Sequence, residues 1–132
     1  MSARVNQAVR FLMSLAVIVV INIASDTAEA SGGGRVYYTQ LTSAEYNNLF
    51  HTLVPQGYRV TYARGYNFNG HARYDVEMQQ ISGPRWATYH GMSDCKFRDK
   101  STYYFQNGYQ MTQHSAYRVN GQLLHLAIWE QR

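Results

Sequence analysis

The stretch GYRVTYARGYNFNG, Gly57 to Gly70, decides the fold, because GYQMTQHSAYRVNG, Gly108 to Gly121, repeats its layout. Read alone, its glycines, tyrosines and arginines suggest a phosphate cradle or a nucleic-acid surface. A phosphate loop would carry Gly-Lys-Ser/Thr, and a dinucleotide fingerprint would join a strand to a helix. Neither feature is present. Recurrence at fixed spacing points instead to an architecture used twice.

A shift of 51 residues, carrying Arg35 to Trp86, superposes Arg35–Ile81 on Trp86–Arg132 without a gap. Tyr38 falls on Tyr89, Gly57-Tyr58 on Gly108-Tyr109, Thr61 on Thr112, Tyr66 on Tyr117, and Asn69-Gly70 on Asn120-Gly121. Each copy opens with a short strand, RVYYTQ or RWATYHG. A helix follows: Thr42 with Glu45 forms a capping-box pattern, and Ser93 is the matching cap. Tyr46, Leu49, Phe50 and Leu53 make an amphipathic stripe on the first helix, and Phe97, Tyr104 and Phe105 are expected on the same face of the second.

After Gly57 the period changes to two. Tyr58, Val60 and Tyr62 alternate with Arg59, Thr61 and Ala63, which predicts a half-buried strand. Asn69-Gly70 and Asn120-Gly121 are hairpin turns, since both residue types tolerate positive φ. Ser82-Gly83-Pro84 turns the chain into the second copy. The predicted fold is α+β: two strand–helix–strand–strand repeats, giving a mostly antiparallel sheet with one helix per repeat packed on it.

The copies differ on their last strand. Arg73, Asp75 and Glu77 align with Leu124, Leu126 and Ile128, so LLHLAIW is apolar on both faces. Such a strand is expected in the middle of a sheet, covered on each side. The alternative is a partner patch of Leu124, Leu126 and Ile128, through which the chain docks a partner or forms a homo-oligomer.

The first 30 residues read differently. Arg4 and Arg10 precede the apolar run from Phe11 to Ala24, and Ala28-Glu29-Ala30 gives a small-x-small cleavage pattern. That order predicts a signal peptide over 1–30 and a secreted, extracellular product. The apolar run is too short for a bilayer span, so no membrane association is expected after cleavage. Residues 31–34, SGGG, read as a flexible spacer, and 35–132 as a single domain made of repeats 35–81 and 86–132. All twelve tyrosines and both tryptophans lie in that domain.

The chain has twelve basic and eight acidic residues; removing Arg4, Arg10, Asp26 and Glu29 leaves ten against six. The basic residues are scattered, without the patch or stripe of a nucleic-acid binder, so no nucleic acid is expected as a partner. The single cysteine, Cys95, rules out an internal disulfide and leaves a buried thiol, which is the expectation, or an intermolecular bridge.

Catalytic patterns are incomplete. Ser93-Asp-Cys-Lys96 matches S-x-x-K, but its companion motifs are missing and Ser93 suffices as a helix cap. Cys95 could pair with His90 only if a third group oriented the histidine. His114 and His125 fall at neighbouring positions of one hairpin, with no supporting carboxylate evident. No metal-ligand spacing appears among the five histidines. The expectation is therefore no catalytic residue, no metal and no cofactor.

The residue patterns Gly57-Tyr58-Arg59, Ala127-Ile128-Trp129 and Trp86…His90-Gly91-Met92-Ser93 resemble a tandem repeat of about 50 residues found in secreted bacterial and fungal proteins. The chain is similar over nearly all of 35–132 to repeats in the N-terminal domain of fungal polyglycine hydrolases. In that family the catalytic serine belongs to a separate β-lactamase-like domain, which this chain lacks. The resemblance implies an accessory or recognition module and transfers no catalytic residue.

The functional expectation is a secreted, non-enzymatic module that binds an extracellular protein or glycan. The alternative is a small secreted hydrolase or effector using Cys95 or Ser93. Tyr62, Arg64, Tyr66, Trp86, Tyr89, His90 and Tyr117 are the candidate binding surface, because Tyr, Trp and Arg are favoured at binding hot spots.

Overall fold

The computed structural model describes residues 34–132 and the backbone of Val19 and Val20. The expected signal peptide and spacer otherwise lie outside the described residues. In chain order the elements are β1 (Val19–Val20), β2 (Arg35–Leu41), α1 (Ser43–Leu53), a 3-10 turn (Val54–Gln56), β3 (Tyr58–Phe68) and β4 (His71–Gln80). They continue as β5 (Trp86–Met92), α2 (Asp94–Gln106), β6 (Tyr109–Val119) and β7 (Gln122–Gln131).

The helices begin where the caps predict. Thr42 accepts from the Glu45 amide at 3.1 Å while the Glu45 carboxylate accepts from the Thr42 amide at 2.9 Å. Ser93 accepts from the Lys96 amide at 3.3 Å. Asn69 and Gly70 have φ of 51° and 82°, and Asn120 and Gly121 have 51° and 78°. Positive φ at both central residues makes each a type I′ turn, whose twist suits the strands it joins.

The strands form two antiparallel sheets, ordered β1-β2-β4-β3 and β5-β7-β6. β1 adds only Val19 opposite Tyr38 and Val20 opposite Tyr37. The irregularities repeat as well: the register shifts between Tyr38 and Leu41 and between Tyr89 and Met92, and again at Val60/Tyr62 and Met111/Gln113. The halves therefore share a structural plan, and the expected single sheet is corrected to two.

They meet through side chains. Gln113 on β6 accepts from the Ala63 amide at 3.2 Å and donates to the Thr61 carbonyl. Ser115 accepts from the Gly65 amide at 3.1 Å and donates to the Gly65 carbonyl at 3.2 Å. These groups occupy backbone positions of the β3 edge that another strand would otherwise fill, which satisfies the edge and blocks sheet extension there. The approach requires Gly65: a Cβ there would lie 2.3 Å from Tyr117 Cε1.

β4 and β7 carry the core. Tyr74, Val76 and Met78 pack with Leu41, Tyr46 and Val60 under α1, and Leu126 and Ile128 join that same cluster. The opposite face of β7 gives Ala127 and Trp129 to a second cluster with Met92, Phe97 and Tyr104 under α2. β7 is thus central and covered on both faces. The proposed patch of Leu124, Leu126 and Ile128 is corrected accordingly: Leu126 and Ile128 are buried, and half-buried Leu124 packs on the same cluster. Each fully buried aliphatic chain contributes about 1.5–3 kcal/mol, so this seam holds the repeats together.

Two helix expectations are also corrected. Phe105 is 71% exposed. The first helix stops at Leu53, whereas α2 continues to Gln106 and carries Phe105 off the packed stripe. Cys95 is exposed, because the second position of α2 points away from the side holding Phe97 and Tyr104.

Candidate functional site

Cross-strand register puts Tyr37 opposite Glu77, Tyr62 opposite Glu77, Arg64 opposite Asp75, and Tyr66 opposite Arg73. With Arg35, these side chains occupy the sheet face turned away from α1 and the core. Asp75 organises them. It accepts two bonds from the Arg64 guanidinium, at 2.9 and 2.8 Å, one from the Tyr66 hydroxyl at 2.9 Å, and one from the Gln40 amide at 3.0 Å. The carboxylate is 3% exposed as a residue, yet most of the Arg64 side chain remains in solvent.

The Arg64 guanidinium lies 5.1 Å from the Tyr66 ring centroid, within cation–π range. Hydrogen bonding and charge from Asp75 raise the Arg64 pKa further, so it is a permanent cation. Tyr62 is 40% exposed. Glu77 is held by Thr61 at 2.7 Å and Gln79 at 2.9 Å; burial favours its neutral form, but these bonds and Arg35 outweigh that and lower its pKa. The face is a pre-ordered array of tyrosines and arginines over two tethered carboxylates.

Of the seven residues singled out from the sequence, Tyr62, Arg64 and Tyr66 share this face. Tyr117 does not: it is 7% exposed and fills the repeat junction. Trp86 is half-buried against Phe50, at 5.7 Å between centroids, with Arg59 over its ring. Tyr89 and His90 line a separate cleft between α1 and β5, of about 310 Å³. Sequence reasoning missed Asp75, although the alternation along β4 already placed it beside Arg73 and Glu77.

In that cleft the Ser43 hydroxyl lies 2.8 Å from His90 Nε2. The His90 ring packs against Tyr46 and Tyr74, with centroids at 4.5 and 4.8 Å. Burial pushes its pKa down to about 4, against a smaller opposing effect from Ser43. His90 is therefore neutral near pH 7 and a weak base. Among the described residues no carboxylate orients its other nitrogen, so the pair is poorly equipped to activate a nucleophile.

The second repeat holds a different cluster. His114 Nε2 lies 2.9 Å from His125 Nδ1, and His125 Nε2 lies 2.9 Å from Asp94 Oδ1. The supporting carboxylate that appeared to be missing is thus Asp94, brought in by the first turn of α2. Phe97 stacks on both imidazoles, at 4.5 and 4.4 Å with near-parallel rings. Arg98 and then His125 lower the Asp94 pKa by hydrogen bonding. Burial, and secondarily His125, lower that of His114. Ser93 acts as a cap, and His90 pairs with Ser43 rather than Cys95. Among the described residues no cluster of His, Cys, Asp and Glu is arranged to hold a metal ion.

The architecture and the two-fold recurrence of its irregularities define a tandem α+β repeat module. A family model described as polyglycine hydrolase-like, structural repeat, matches the chain over 32–81 and again over 83–132. The chain belongs to that family, as the resemblance of its motifs indicated. A search of curated proteins finds no match.

Proposed function

We propose that the protein is a secreted recognition module, non-enzymatic, that binds an extracellular protein or glycan through the outer face of its first sheet. In this reading each repeat is one strand–helix–strand–strand unit, and the two units have divided their labour. The second spends its equivalent strand face, Leu124, Leu126 and Ile128, on the seam. The first keeps polar residues there and leaves Tyr37, Tyr62, Arg64 and Tyr66 available. The carrying observation is the Asp75 hub, which fixes Arg64 and Tyr66 before any partner arrives and so reduces the ordering cost of binding. Secretion is supported by the leader pattern in the first 30 residues.

The test is binding to extracellular proteins and glycans by the wild type and by Tyr62→Ala, whose side chain makes no internal polar contact that its loss would strand. Retained binding by the wild type and weakened binding by the variant support the reading. A second reading, a small secreted hydrolase, draws on the Ser43–His90 spacing in place of the Cys95 and Ser93 considered from sequence. It requires turnover that Ser43→Ala abolishes.

A further inference from the structure

We propose that the cleft between α1 and β5 is a second binding site, separate from the outer face, and that it takes one unit of an uncharged saccharide. The cleft opens between the first repeat's helix and the second repeat's first strand, so neither repeat could form it alone. Its volume of about 310 Å³ is at the small end of the roughly 300–1,000 Å³ of small-molecule sites.

Its chemistry selects the ligand. No carboxylate, lysine or arginine lines it. His90 is neutral because burial against Tyr46 and Tyr74 opposes its charge. The other lining histidine, His51, is exposed, so an anionic sugar or phosphate would leave water for at most a solvent-screened counter-charge. A wholly apolar ligand fits no better, since it would cover the Asn47 amide without pairing it.

A saccharide unit suits both sets of groups. Its hydroxyls can pair with the Ser43 hydroxyl, the Asn47 amide and His90, while its C–H face lies on Phe50.

The experiment is NMR titration of the labelled protein with neutral cello-, xylo-, manno- and chito-oligosaccharides, beside oligogalacturonate and a glycine-rich peptide. At least one neutral sugar should shift the Asn47 side-chain amide and the Thr88 and His90 backbone amides. Phe50→Leu, which keeps an apolar side chain but removes the ring, and the helix-surface variant Asn47→Leu should each weaken it by about tenfold or more. Tyr62→Ala should leave it unchanged, which separates failure here from failure of the outer-face reading. The proposal is overturned if no neutral sugar moves these resonances. It is equally overturned if oligogalacturonate or the peptide moves them instead, or if binding survives in both cleft variants with their folds intact.

Discussion

The Tyr117 hydroxyl lies 2.7 Å from that of Tyr74, joining β6 of the second repeat to β4 of the first. The same Tyr117 oxygen accepts from the Gly91 amide at 3.1 Å. One tyrosine thus closes polar contacts on two strands while its ring fills the space left by Gly65.

The two hydroxyls should differ in worth. Tyr117→Phe strands both the Gly91 amide and the Tyr74 hydroxyl, and should cost about 1–3 kcal/mol in urea denaturation. Tyr74→Phe leaves Tyr117 still bonded to Gly91 and should cost less. Equal losses would show that Tyr117 is no hub.

Gly65→Ala should destabilise by about 1–3 kcal/mol through overpacking against Tyr117. The penalty should shrink in a Tyr117→Leu background, a coupling readable from a double-mutant cycle. Additive losses would contradict direct contact between these positions.

Stability should fall on acidification. His90 has a pKa of about 4 in the fold, against about 6.5 in the unfolded chain. Between these values the unfolded chain binds the extra proton. The contribution is therefore complete above about pH 6.5 and is lost as pH falls towards 4. The shift corresponds to at most about 3 kcal/mol, and less in practice because the ring is partly solvated. Since His114 acts with the same sign, the readout is the difference from His90→Gln: denaturation midpoints of that variant should vary less between pH 7 and 4. An identical profile would contradict a buried neutral His90.

The histidine pair should show fixed tautomers. Ionised Asp94 can only accept, so when both imidazoles are neutral His125 donates through Nε2 and accepts at Nδ1, and His114 donates through Nε2. Ring-nitrogen NMR under basic conditions, with both imidazoles neutral, should find both histidines as the Nε2–H form. Asp94→Ala should release that preference at His125, and an Nδ1–H form of His125 in the wild type would refute the relay.

Much of the fold was legible because local chemistry carried it. Thr42 and Ser93 announced the helix starts, Asn-Gly announced both turns, and the apolar sides of LLHLAIW announced a strand covered twice. What escaped was set by contacts across the repeat junction. Gln113 and Ser115 look like ordinary strand residues, yet they terminate the β3 edge and keep the sheets apart. Tyr117 alternates like a surface tyrosine until the missing Cβ at Gly65 gives it a place to be buried. Asp94 and Ser43 are matching first helical residues, and nothing local says that each meets a histidine. Period and turn chemistry report an element's own geometry, whereas a site assembled from three elements depends on how they dock.

Recognition through the first repeat's open face is tested most directly by affinity of wild type and Tyr62→Ala for one ligand retained from extracellular proteins or a glycan array. The account predicts at least about tenfold weaker binding by the variant, 1.4 kcal/mol, with an unchanged unfolding midpoint. Equal affinity of the two proteins, or turnover of the ligand in place of its retention, would contradict it.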